Sequence, residues 1–147
     1  MTAINSLKDN REAGGANQDE DDHRSNAHGV LIGLLYQSPE NIEEGKRLLM
    51  HAAMLGDMFA QSTLGFHQLW KGQSPEEQAL GVEWLTAAAQ QDHKYAIYNV
   101  GEAHLRGKGT PKNTPEAVSW YEKGIALGSA DCQSAMGYLH FMGRGVP

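Results

Sequence analysis

The stretch AIYNVGEAHLRGKGTPKNTPEAVSWYEKGIALG, from Ala96 to Gly128, decides the fold because both of its halves recur along the chain. Its first half carries Gly101, and matching glycines stand 36 residues before it and 36 residues after it, each behind a small and an apolar residue. Its second half is aligned with GVEWLTAAAQQD (residues 81–92) and GKRLLMHAAMLG (residues 45–56). A fixed period in this range is typical of a solenoid, in which each unit buries its apolar face against its neighbours.

Helical periodicity and breakers divide each unit into two helices. Apolar side chains recur at steps of three and four, as in Val82, Leu85, Ala88 and Ala89, which indicates amphipathic helices. A hydroxyl residue followed by proline predicts the start of each second helix; these pairs are Ser38-Pro39, Ser74-Pro75 and Thr114-Pro115. The predicted left-handed residues that end these helices are Gly56, Asp92 and Gly128.

A glycine recurs inside the first helix of every unit, although it costs about 1 kcal/mol relative to alanine in a helix. The four positions are Gly33, Gly65, Gly101 and Gly137. Without a Cβ atom, a first helix can approach the backbone of its second helix closely. We expect the pairs Ala52-Ala53 and Ala88-Ala89 to form the small surface that faces these glycines. In the third unit Gly124-Ile125 replaces the alanine pair, so packing there should differ.

Residues 1–26 differ from the rest of the chain. They contain the acidic run from Asp19 to Asp22, and no large apolar side chain lies between Lys8 and Asn26. Such a segment buries too little apolar surface to offset the entropy of ordering. We therefore predict a disordered acidic tail; a tethered arm that steers basic partners is the functional alternative.

Composition narrows the class of protein. The 147 residues carry a formal net charge of -6, which argues against nucleic-acid binding and favours a basic partner surface over an acidic one. The single cysteine, Cys132, excludes an internal disulfide and a four-thiolate zinc site. No stretch reads as a secretory signal or a membrane span. We expect a cytoplasmic protein, or a periplasmic or secreted one if a signal was removed before residue 1.

The repeated residues resemble the Sel1-like repeat (SLR) family, which is related to tetratricopeptide repeats. The best match runs from Ala96 to Gly128, with Val100-Gly101, the Gly107-Lys108-Gly109 turn and Trp120-Tyr121 in register. The resemblance covers residues 27–147 and implies an all-α, right-handed α/α solenoid of about 3.5 units and seven helices. The units would span about 27–56, 57–92, 93–128 and 129–147, the last one incomplete.

The fourth unit stops at Pro147, where its second helix should begin. Its first helix carries the apolar residues Met136, Leu139, Phe141 and Met142. Terminal repeats normally need a polar outer face. We expect this helix to act as a cap, to be covered by a partner or by self-association with a second copy, or to continue in a longer protein.

Catalysis finds no support in the sequence. Two of the seven histidines, His104 and His140, are equivalent residues of adjacent units, but two imidazoles alone make a weak metal site. Cys132 stands where other units have alanine, so a small buried side chain is favoured over a nucleophile. No Gly-x-Ser-x-Gly motif occurs. We predict a protein that is not an enzyme and that uses no cofactor and no metal.

The family resemblance also implies where a partner would bind. First helices line the concave face of such a solenoid, and residues one after and three before each glycine should point into it. These residues are Val30, Leu34, Ser62, Phe66, Tyr98, Glu102, Ser134 and Tyr138. The row Phe66, Tyr98 and Tyr138 suits the anchoring of a peptide or helix. Filling of gaps between units is an equally weighted alternative.

By resemblance, then, the chain is a non-catalytic scaffold or adaptor that binds a protein or peptide, without nucleic acid and without membrane insertion. Some members of the family neutralise toxins, so a bacterial immunity or inhibitor protein is the alternative. Some cysteine-rich relatives have been credited with β-lactam hydrolysis. Those relatives carry a disulfide in each repeat, whereas this chain has one cysteine, so that activity is the weakest of the three.

Overall fold

The structure, a computed structural model, describes residues 39–143. In this range the regular secondary structure is entirely helical. The helices are α1 (Pro39–Met54), α2 (Met58–Lys71), α3 (Pro75–Ala89), α4 (Lys94–Arg106), α5 (Thr114–Ala126) and α6 (Ala130–Phe141). These six are one fewer than the seven predicted. The remaining helix, predicted from Ala27, and the predicted acidic tail lie outside the described residues.

Four of the described helices, α2, α3, α5 and α6, begin at a side-chain cap, whereas the cap residue of α4, His93, makes no such hydrogen bond. The Ser74 hydroxyl accepts a hydrogen bond from the Glu77 amide at 3.1 Å, with Pro75 as the first helical residue, as predicted. The predicted cap of α5 is wrong by one residue: the side chain of Asn113, and not that of Thr114, accepts from the Glu116 amide, at 3.1 Å. An amide oxygen is as good an N-cap as a hydroxyl, and Thr114 becomes the first residue of the helix.

The second helix of each pair ends in the same way three times. The residues predicted to be left-handed have φ angles of 96° at Gly56, 63° at Asp92 and 87° at Gly128, which confirms the prediction. In each turn two amides bond back into the helix; at Asp92 they reach the carbonyls of Ala89 (3.0 Å) and, from His93, of Ala88 (3.3 Å). These two hydrogen bonds form the Schellman motif, which reverses the direction of the chain before the next first helix.

Close backbone contact at the repeated glycine is confirmed for Gly65. A Cβ atom built on Gly65 would lie 2.8 Å from the Gly81 carbonyl oxygen and 2.8 Å from the Leu85 amide nitrogen, both on α3. A Cβ atom on Gly81 would lie 2.5 Å from the Leu69 nitrogen. The atoms nearest to Gly65 therefore belong to Gly81 and Leu85, and not to the predicted pair Ala88-Ala89.

The other two glycines of this register that the structure describes have different neighbours. At Gly101 the space is taken by the ring of Tyr121 on α5, so a side chain replaces the backbone contact. At Gly137 on α6, no described atom lies within 4 Å of the added Cβ. The three positions are equivalent in sequence, yet only the first two are enclosed by a following helix.

The alanine pairs also belong to the core between units. Ala52 and Ala53 are buried with Ala60, and Ala88 and Ala89 are buried with Ala96, so each second helix packs against the next first helix. Between the third and fourth units, Cys132 takes the place of Ala60 and Ala96, and its Sγ atom would overlap a Cβ atom built on Gly124. The larger cysteine is thus accommodated by the smaller glycine.

Each helix packs on the one that follows it, and α2 also contacts α4. Because connections this short join antiparallel neighbours, the first helices α2, α4 and α6 run parallel. The result is an all-α solenoid whose first helices form one surface.

Candidate functional site

A groove lies between α4 and α6, and the loop after α4 contributes to its lining. We call it the α4–α6 groove; its volume is about 690 Å³. It is lined by Tyr98, Glu102, Leu105, Arg106, Lys112, Thr114, Asp131, Ser134, Ala135, Tyr138 and Leu139. This volume lies within the range of ordinary ligand sites, and the walls combine aromatic, apolar and charged side chains.

Four of the predicted concave-face residues line this groove. Tyr98 and Glu102 come from α4, and Ser134 and Tyr138 come from the equivalent positions of α6. Tyr138 is 56% exposed and Ser134 is exposed, so α6 presents them to solvent. Tyr98 is half-buried, because its ring also packs against Tyr121 at 6.3 Å between centroids.

Glu102 is buried beneath the groove, and both of its carboxylate oxygens are engaged. Oε1 accepts a hydrogen bond from the Tyr121 hydroxyl at 2.6 Å, and Oε2 accepts from Nε of Arg106 at 3.0 Å. Burial, reinforced by the bond to Glu102, raises the pKa of Tyr121 well above its usual value. Glu102 is therefore a positioning residue that fixes its two neighbours.

Arg106, the last residue of α4, is held from two sides. Its Nη2 lies 2.9 Å from Oε2 of Glu102, and its guanidinium stands 5.4 Å from the centre of the Trp70 ring. The Trp70 indole in turn donates to Oδ1 of Asn99 at 3.0 Å. The Arg106 side chain nevertheless stays 63% exposed, so a fixed cation stands at one end of the groove.

The other predicted site residues lie elsewhere. Ser62 is buried, and Phe66 is half-buried against Tyr95, with 5.9 Å between the ring centroids. Phe66 thus belongs to an aromatic cluster beside the groove, and neither residue lines it. Val30, Leu34 and the glycine Gly33 are outside the described residues.

Sequence reasoning predicted Glu102 but missed three other charged residues of the groove, Arg106, Lys112 and Asp131. Helix register could have found two of them, since Asp131 stands one turn before Ser134 and Arg106 one turn after Glu102 on the same faces. Lys112 lies in the loop between α4 and α5, where helical periodicity says nothing. Phe59 and Tyr95, exposed at 46% and 44%, were also missed, seven residues before Phe66 and Glu102.

The described residues contain no group of three or more histidine, cysteine or acidic side chains that could hold a metal ion. Cys132 is fully buried, as predicted, and burial raises the pKa of its thiol, which disfavours the nucleophilic thiolate. Burial lowers the pKa of His104, whose Nδ1 has no partner among the described atoms. Within residues 39–143, the helices are all too short or too polar to span a bilayer.

Comparison with solved structures places this geometry among known solenoids. A protective antigen of uropathogenic Escherichia coli with an SLR fold is 30% identical, with a TM-score of 0.72, over 87% of this chain and 27% of its own. A Sel1 repeat protein from Oxalobacter formigenes is 32% identical, with a TM-score of 0.64, over 77% of this chain and 82% of its own. Cysteine-rich protein B of Helicobacter pylori, 19% identical with a TM-score of 0.63, shares the fold.

Among curated proteins, chitin synthase regulatory factor 3 of Schizosaccharomyces pombe is 37% identical over 65 residues. The match covers 43% of this chain and only 7% of that relative, so the chain spans a small part of it. The family model described as Sel1 repeat matches residues 60–93, 94–129 and 130–147, more than half of the chain. The chain therefore belongs to the Sel1 repeat family, whose members generally act as scaffolds for protein–protein interactions.

Proposed function

We propose that this chain is a protein-interaction module that binds a peptide segment of another protein in the α4–α6 groove. The observation that carries the proposal is the groove itself, to which two successive first helices contribute equivalent residues. An exposed tyrosine, Tyr138, stands on one wall above an apolar floor that includes Leu105 and Leu139. Tyrosines in such settings often supply a large share of binding free energy.

The groove fits an extended segment better than a small molecule. Its lining comes from two parallel helices and from the loop after α4, and its polar groups are spread over all three. A small-molecule pocket instead encloses its ligand and concentrates a few polar groups. A peptide side chain can enter between Tyr98 and Tyr138 while its backbone follows the helices.

Peptide selection followed by titration tests this proposal. A phage-displayed library of random peptides of about 12 residues is selected on the folded protein, and enriched peptides are synthesised and titrated by calorimetry. We expect Tyr138→Ala to weaken their binding about 10-fold or more. Ser134→Arg, which places a long side chain in the groove, should have a similar effect.

Tyr95→Ala is the matched control, because Tyr95 is 44% exposed on α4 but does not line the groove. We expect that variant to bind the same peptides with nearly unchanged affinity. Failure to enrich any peptide, or equal affinities for the wild type and Tyr138→Ala, would overturn the proposal.

A further inference from the structure

We infer that the charges of the α4–α6 groove select the orientation of the bound peptide. An anionic side chain of the peptide lies at the Arg106–Lys112 end, and a cationic side chain lies at the Asp131 end. The inference rests on the proposed function and adds the chemistry of the partner to it. The occupant is a peptide of mixed charge, which differs from the basic partner surface that the net charge favours.

The two ends of the groove differ because α4 and α6 run parallel. Arg106 ends α4, and Lys112 lies beside the same end, since its Cβ atom is 3.0 Å from the position of a Cβ built on Gly107. Asp131 is in the first turn of α6, at the opposite end. It lines the groove together with Tyr98, which is in the first half of α4.

These charges are available to a ligand. Among the described residues, neither Lys112 nor Asp131 makes an ion pair, and both are exposed. Arg106 contacts Oε2 of Glu102 through both Nε and Nη2 and keeps its remaining N–H groups for another acceptor. Glu102 does not compete for a cationic side chain, because both of its oxygens are already engaged.

A fixed pair of opposite charges favours one orientation of a peptide and disfavours the reverse one. In the productive direction each charge of the peptide meets its opposite, and in the reverse direction like charges meet at both ends. Such complementarity contributes specificity more than raw affinity. The aromatic walls would hold the peptide, and the charged ends would set its direction.

The test uses the same phage-displayed random library, with the charge pattern of the enriched peptides as the readout. On the wild type we expect an acidic residue in one half of the peptides and a basic residue in the other half, at a constant separation. On Lys112→Glu the acidic preference should be lost or replaced by a basic one, while the other half keeps its pattern. Asp131→Asn should remove the basic preference alone.

Lys94→Glu is the matched control, since Lys94 is an exposed lysine of α4 outside the groove and the substitution changes net charge by the same amount. Its peptides should keep the wild-type pattern. In solution, a selected peptide should bind Lys112→Glu about 3- to 10-fold more weakly than the wild type, and the difference should shrink between about 50 mM and about 500 mM salt.

The outcomes separate the two proposals. Peptides that bind the groove, as shown by their loss on Tyr138→Ala, but carry no charge pattern would overturn the inference and leave the proposed function standing. The same result follows if Lys94→Glu changes the pattern as much as Lys112→Glu does. If no peptide is enriched at all, the proposed function fails and the inference fails with it.

Discussion

At the scale of single residues, the repeated glycine has opposite energetic roles at equivalent positions. Alanine gains about 1 kcal/mol over glycine through helix propensity. At Gly65 the added Cβ atom would lie 2.8 Å from backbone atoms of α3. Overpacking of this kind costs about 1–3 kcal/mol, which outweighs the gain in helix propensity. We therefore expect Gly65→Ala to lower the free energy of unfolding, measured by urea denaturation.

Gly137→Ala is the internal comparison, because no described atom lies within 4 Å of the added Cβ. Only the propensity gain is left there, so the free energy of unfolding should rise by up to about 1 kcal/mol. If both substitutions changed stability in the same direction, the contact between α2 and α3 would not be the reason for the glycine at Gly65.

The exchange of volume between Gly124 and Cys132 gives a second prediction at this scale. Gly124→Ala should be destabilising, because the new Cβ atom would overlap Sγ of Cys132. Cys132→Ala removes that atom, and the double variant restores the alanine arrangement found at Ala52 and Ala60. A double-mutant cycle by urea denaturation should show favourable coupling of about 0.5–3 kcal/mol; strictly additive effects would contradict it.

At the scale of helices and turns, what the sequence predicted depended on how local the signal was. The left-handed ends at Gly56, Asp92 and Gly128 need only backbone geometry, so they were predictable. The cap of α5 was misplaced by one residue because Asn113 and Thr114 are both good caps. The partner of Gly65 was missed, since which residues of α3 it meets depends on how the two helices cross.

The residues of the groove also divide into those that a local sequence pattern predicts and those that depend on contacts between helices. Tyr98, Glu102, Ser134 and Tyr138 were reached from their register to the repeated glycine, because helix periodicity fixes which face a residue shares. That Glu102 would be sequestered by Tyr121 depends on a contact between residues 19 positions apart on two helices. No periodic pattern encodes such a contact.

Among the described residues, Asp92 is the only non-glycine residue with a positive φ angle, at 63°. It gives the prediction at the scale of turns. This conformation costs most side chains about 1–2 kcal/mol. Its carboxylate lies 3.4 Å from Nζ of Lys123, in a pair that is too exposed to contribute much. We expect Asp92→Gly to raise the free energy of unfolding by about 0.5–1 kcal/mol, by urea denaturation.

Asp92→Asn is the control for the lost charge, because asparagine tolerates the left-handed conformation but cannot pair with Lys123. It should be slightly less stable than the wild type. Should Asp92→Gly prove no more stable than Asp92→Asn, the turn after α3 would not be strained by its side chain.

At the scale of the whole molecule, the half-buried His104 of α4 makes the free energy of unfolding depend on pH. Burial lowers the pKa of His104 below 6.5, only partly opposed by the charge of Glu116. The unfolded chain therefore binds this proton more readily than the folded one. The contribution of uncharged His104 to the free energy of unfolding is fully present above about pH 6.5. It is lost as the pH falls through 6.5 toward the lowered pKa of His104 in the folded state.

Thermal unfolding of the wild type and of His104→Gln, at about pH 7.5 and about pH 5.5, isolates this contribution. Glutamine keeps a polar side chain at the site but does not titrate, and every other histidine is common to both proteins. We expect the midpoint of the wild type to fall more between the two pH values than that of the variant. Equal falls would mean that His104 reaches solvent when protonated, and that the packing of α4 against α5 does not resist its charge.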